Sequence, residues 1–254
     1  MTRPITLIFS ITFILFRNIS IAQDDLKILE AKASRKDTKI LTIQSLDGGK
    51  QKVKIIPDYV NRVLKINCLT DTIKIEDFWG VTPEIDILGG KFIQIQYEVR
   101  GGTGYALGNV LILCVRNNKL YEAMHVLRYT QSEIGDDATG DYNIKIKIDK
   151  NDKGSYILKV NIHDDFNSKS RPEKNYKYDN LSILNFDLSR NVFYSIKKDR
   201  YDTFISTFLK NHKNHKNKIP GNFPEIILGS ETYYYFGNRW YTSQEDGELI
   251  EFDN

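Results

Sequence analysis

Three groups of side chains have the types and spacing to do chemistry. His163-Asp164-Asp165 joins an imidazole to two carboxylates, residue types that hold a metal ion or exchange protons. Neighbours on an extended chain face opposite ways, so His163 and Asp165 converge while Asp164 turns away. That pair is the candidate acid–base or metal site. Tyr233-Tyr234-Tyr235-Phe236 with Trp240 and Tyr241 is the densest aromatic patch. Strand alternation gives one set of these rings to a core and leaves the other outside. Exposed aromatic rings offer flat apolar area with polar tips, suited to a sugar ring or a protein partner. Tyr234, Trp240 and Tyr241 are therefore the candidate binding residues. His212 and His215 stand three apart, a helical spacing for a shared metal, but Lys210, Lys213, Lys216 and Lys218 surround them. That positive field opposes a cation and suits weak contact with an anionic surface such as phospholipid headgroups.

The remaining motifs fail on chemistry. Gly101-Gly102-Thr103-Gly104-Tyr105-Ala106-Leu107-Gly108 follows a strand like a phosphate loop, but another strand comes next. A dinucleotide site needs a helix N-terminus there, so the segment reads as a hairpin connector. Asp149–Gly154 opens like a calcium loop, yet Lys153 and Val160 stand where acidic ligands are required. Asp136, Asp137 and Asp141 read as loop residues. Neither a Gly-x-Ser-x-Gly elbow nor a His-Glu-x-x-His pair occurs. No cofactor and no metal are expected.

These groups need a scaffold. The 254 residues are 41% hydrophobic and 12% aromatic, enough for a substantial core and against whole-chain disorder. Arg3, the apolar run Pro4–Phe16 and Ser20-Ile21-Ala22 form a secretory leader over residues 1–22. The expected mature part, 23–254, is one all-β domain in the periplasm, at the cell surface or secreted. No transmembrane span is expected after leader cleavage. Without the leader's Arg3 and Arg17, the mature chain keeps a single positive charge in excess, which predicts no nucleic-acid partner. Cys68 and Cys114 are candidates for a disulfide in an exported chain, worth about 4 kcal/mol by loop-entropy reasoning. Two buried thiols that never meet is the other reading.

Residues Lys91–Tyr129 form the clearest unit, three consecutive antiparallel strands with Asn117-Asn118 as a tight turn. Hairpin signals also recur at Asp47-Gly48-Gly49, Gly89-Gly90, Asp152, Ser189-Arg190-Asn191 and Gly237-Asn238. The expected fold is an all-β antiparallel meander of successive hairpins, propeller-like, with a two-sheet sandwich as the alternative. Pro57 is expected to end the second strand, and Thr130–Asp141 and Asp164–Asn180 to be polar loops. Asp24–Asp37 reads as a lead-in or a short helix. Tyr201, Phe204, Ile205, Phe208 and Leu209 make a helical stripe, predicting a helix at 200–211. The function expected is non-catalytic binding of a protein or carbohydrate partner. The alternative is a secreted hydrolase acting on a polymer through His163 and Asp165 or a carboxylate pair.

Overall fold

The computed structural model describes residues 26–76, 78–79, 81–99, 105–134, 137–151, 153–195, 224–229, 231–236, 238–243 and 249–251. The leader, the helix expected at 200–211 and the Lys210–Lys218 segment lie outside them. Among the described residues the fold is all-β with one short α-helix, α1 (26–37), ahead of the first strand. No helix among the described residues is long and apolar enough to cross a membrane.

The strands follow one another in space as they do in sequence. Strands β1 (Lys39–Gln44), β2 (Lys50–Asp58), β3 (Val63–Cys68) and β4 (Asp71–Ile75) form the first four-stranded sheet. Gly48 and Gly49, at φ 96° and 81°, turn β1 into β2 where a side chain would be strained. Strand β2 runs through Pro57, which pairs with Leu64. Proline's fixed φ suits extended backbone and costs the ladder one donor, so the strand ends a residue later than expected.

An eight-stranded sheet follows. It comprises β5 (Glu84–Leu88), β6 (Phe92–Val99), β7 (Tyr105–Arg116), β8 (Lys119–Ile134), β9 (Ala138–Lys150), β10 (Tyr156–Ser168), β11 (Tyr176–Asp187) and β12 (Val192–Tyr194). Asn117 and Asn118 take φ 51° and 63°, giving the expected tight turn. Two segments expected as loops are strands. Residues 130–134 pair with 138–142, and β10 and β11 extend to either side of a 3-10 turn at Pro172–Lys174. The sequences of these segments lack the apolar alternation that marks a half-buried strand, so their backbone ladders are not announced by composition.

Strands β8 and β9 pair only from Tyr129↔Asn143 outward to Ile134↔Ala138. Below that point they part, and the sheet divides into two four-stranded meanders, β5–β8 and β9–β12. The last sheet, β13 (Glu225–Leu228), β14 (Glu231–Phe236), β15 (Arg239–Ser243) and β16 (Leu249–Glu251), has four strands again. The four-strand unit of a propeller is thus present, but no barrel closes among the described residues and the propeller arrangement is not confirmed.

Two cores lie on opposite faces of β5–β8. One face, through Ile93, Ile95, Leu111 and Leu113, packs on Val53, Ile55, Leu64 and Ile66 of the first sheet. The other, through Phe92, Val110, Ile112 and Met124, packs with Leu158, Val160 and Ile162 of β10 and with Tyr233, Tyr235 and Trp240 of the last sheet. Strand alternation on β7 sends Cys114 into this second core, whereas Cys68 belongs to the first. Both are buried free thiols on different sides of a sheet, so the candidate disulfide does not form and the reading of two thiols that never meet holds.

Candidate functional site

The most exposed tryptophan with a cleft beside it is Trp79. Phe78 bridges Val99 and is wholly buried against Tyr59, with ring centroids 5.7 Å apart. Trp79 donates its backbone N–H to Glu98 O at 2.9 Å. With Phe78 plugged into the core, the next side chain is turned outward, and Trp79 remains 38% exposed. The turn after β2 supplies the second wall. Arg62, at φ 54°, accepts the Phe78 N–H on its carbonyl and lays its guanidinium 4.4 Å from the Trp79 ring centroid.

Helix α1 closes the third side. Its Ala33 packs on the first core, and Ser34 Oγ accepts the Tyr59 N–H at 3.1 Å. These contacts bring Asp37 over the sheet, where its Oδ2 accepts from Tyr59 Oη at 2.8 Å and from Thr82 Oγ1 at 3.1 Å. Burial, and then the adjacent Asp37 carboxylate, push the Tyr59 phenol above its usual pKa. The cleft encloses about 390 Å³ and is lined also by Leu29 and Glu30. An aromatic plate, a guanidinium fork and two carboxylates converge on it, an inventory suited to a polyhydroxylated ring.

A larger groove, about 590 Å³, lies between β4, the start of β8 and the β14–β15 turn. Lys74, Lys119 and Arg239 line it with Glu76 and Glu122. The Glu122 carboxylate is buried and lies 3.7 Å from Arg239 and 3.5 Å from His125 Nδ1. His125 is wholly buried, and its Nε2 meets Tyr97 Oη at 2.5 Å. The β7–β8 register shifts between Ile112 and Leu113, so Ala123 is an extra residue. That bulge places Glu122 and His125 on one face. Strict alternation had put His125 with Ala123, so counting by twos misses the pair.

The aromatic candidates of the last sheet are placed differently from expectation. Trp240 is 1% exposed, packs 5.1 Å from Tyr235, and donates Nε1–H to Glu122 O at 2.9 Å. Tyr234, on the other face of β14, is buried too, and burial together with Glu225 pushes its phenol up to about 12. Tyr241 is half-buried opposite it. The hairpin is a core element rather than an exposed platform: Tyr233, Tyr235 and Trp240 belong to the second core, and Tyr234 on the opposite face is buried as well.

His163 and Asp165 do share a face of β10, but the structure gives them separate partners. His163 Nδ1 meets Asp179 Oδ1 at 2.7 Å across the β10–β11 ladder, and Asp165 accepts from Asn167 Nδ2. Their face is open, with His163 about a third exposed. Asp164 is the buried member of the trio, accepting from Tyr176 Oη at 3.1 Å. Glu231 lies near it, and burial followed by the Asp164 charge raises the Glu231 pKa. Asp137 is engaged by Ser168 and Ser170. Among the described residues, no group of three His, Cys, Asp or Glu side chains is arranged to hold a metal ion.

In the sequence, Phe78-Trp79-Gly80 reads as an interruption between strands, and Trp79 is not among the candidates above. The available signal was an aromatic pair at a break in the alternation. One member fills the core there, so the other is turned to solvent. No protein-family model, curated protein or solved structure matches this chain.

Proposed function

We propose that the chain is an exported, non-catalytic binding domain that takes a carbohydrate unit at the Trp79 cleft. The observation that carries this reading is the Arg62–Trp79 stack standing beside the Asp37 carboxylate. An indole takes the C–H face of a sugar, while a guanidinium and carboxylates exchange hydrogen bonds with its hydroxyls. The 390 Å³ volume favours a sugar over a protein partner, since stable protein interfaces bury about 800 Å² on each side. The secretory leader read at residues 1–22 agrees with an extracellular or periplasmic glycan.

A glycan array probed with the chain lacking residues 1–22 tests this reading. Binding that falls about tenfold or more in Trp79→Ala and in Arg62→Ala supports it. Equal binding by Trp79→Ala, or no glycan bound at all, overturns the placement. Release of shortened sugars from a bound glycan would turn the reading to the hydrolase alternative.

A further inference from the structure

Where β8 and β9 part below the Tyr129↔Asn143 pair, the two halves of the eight-stranded sheet leave a wedge of about 240 Å³. Its apolar walls are Val110, Ile144 and Ile146; its polar lining is Gln94, Gln96, Arg128, Asn143 and Lys145. Gln94 stands out. It sits on the core face of β6, two residues after Phe92, and is only 8% exposed. Its Oε1 has no hydrogen-bond partner among the described residues. An acceptor buried without a donor costs stability that leucine would avoid at the same place. Arg128 reaches Glu84 at 3.6 Å and lies over the Tyr129 ring, and Lys145 is exposed with no ion pair among the described residues. Arg128 and Lys145 are the charged residues that line the wedge itself, with Glu84 beside Arg128 and Glu98 beyond Tyr129.

We infer that this wedge is a second ligand site, separate from the Trp79 cleft, for a small hydroxylated carboxylate such as a sugar acid. The carboxylate faces Arg128 and Lys145 at the mouth, and a hydroxyl donates to the Gln94 amide oxygen at depth. Neutral sugars satisfy Gln94 but forgo the charge contacts, so the site prefers the acid. The volume suits one monosaccharide-sized molecule; it would otherwise hold about eight waters.

The test uses ¹⁵N-labelled chain lacking residues 1–22, titrated with D-glucuronate and, separately, with D-glucose. Glucuronate is expected to move the side-chain amide signals of Gln94 and Asn143 at millimolar concentration, with glucose about tenfold weaker or worse. Gln94→Leu should lose the response while keeping or raising Tm, and Arg128→Gln should erase the preference for the acid. Unmoved amide signals, an equal response to both sugars, or an undiminished response in Gln94→Leu each overturn the inference and leave a water-filled wedge. Should Gln94→Leu fail to fold, Arg128→Gln at the exposed mouth decides alone. The Trp79→Ala protein must still respond; if it does not, glucuronate is held at the other cleft and the wedge is not the site.

Discussion

Tyr129 lies across Gly108, its directly paired neighbour, so closely that a Cβ on the glycine would come well inside van der Waals contact with the ring's Cε1. The ring passes over β7 to reach β6, where Tyr129 Oη donates to Glu98 Oε1 at 2.7 Å. Glu98 is in turn paired with Gly108. Burial, reinforced by that carboxylate, pushes the Tyr129 phenol up to about 12. Gly108 therefore belongs to a strand and is needed for a close approach, whereas Gly101–Gly104 lie outside the described residues.

Gly108→Ala should consequently cost about 1–3 kcal/mol, the usual range for an overpacked site. Tyr129→Ala removes the obstructing ring, so the double variant should lose less than the two single losses combined. Urea unfolding of the four proteins in a double-mutant cycle measures this coupling. Additive losses would mean that the ring already moves aside freely.

The two tryptophans should behave oppositely. Trp240→Ala empties a fully buried site and breaks the bond to Glu122 O, for an expected loss of about 3–5 kcal/mol. Trp79→Ala removes a ring that is partly in solvent, with an expected loss of about 1 kcal/mol or less. Thermal unfolding separates them directly, and tryptophan fluorescence adds a second readout. The emission of Trp79 alone, in a Trp240→Phe protein, should lie to the red of that of Trp240 alone.

Thiol chemistry distinguishes separate cores from a bridge. Burial, with Asp71 adding to it, raises the Cys68 pKa, and burial likewise raises that of Cys114. Neither thiolate is accessible in the folded chain, so a maleimide should leave the native protein unlabelled at neutral pH. In denaturant without reductant, both cysteines should label. Labelling that requires prior reduction would show a disulfide.

Alternation of apolar residues made β1, β2 and β6 legible, and the unbroken apolar run Val110–Val115 marked β7, whose two faces lie on the two cores. The turns at Gly48-Gly49 and Asn117-Asn118 were equally legible, since positive φ selects those residue types. What stayed hidden has specific causes. A bulge at Ala123 breaks the parity that would have paired Glu122 with His125. The 130–134 ladder, TQSEI against ATGDY, lacks a regular apolar alternation, so its pairing rests on backbone bonds that composition does not encode. Trp79 stands at a break between strands and Trp240 within one, yet spacing alone does not give how deeply either is buried. The 21-residue separation of Phe78 and Val99 likewise conceals that Phe78 is held by that strand.

The Asp164–Glu231 neighbourhood should control how stability varies with pH. Glu231 sits where burial, and then the Asp164 charge, raise its pKa in the folded chain, while Tyr176 donates to Asp164 and has its own phenol pushed up mainly by burial. A carboxyl with a raised folded pKa holds its proton more tightly in the native state. It favours folding below the raised value relative to the ionised condition, and that advantage is lost as pH climbs from the unfolded toward the folded pKa. Glu231→Gln removes the ionisation altogether. Its Tm should exceed that of the parent at pH 7, and the gap should shrink as pH falls toward about 4, where an ordinary glutamate is itself half protonated. Scanning Tm for both proteins between those limits checks the sign. A gap that stays constant across the range would trace the effect to packing or hydrogen bonding of the new amide, and a parent more stable at neutral pH would mean that the Glu231 carboxylate is held by a favourable partner.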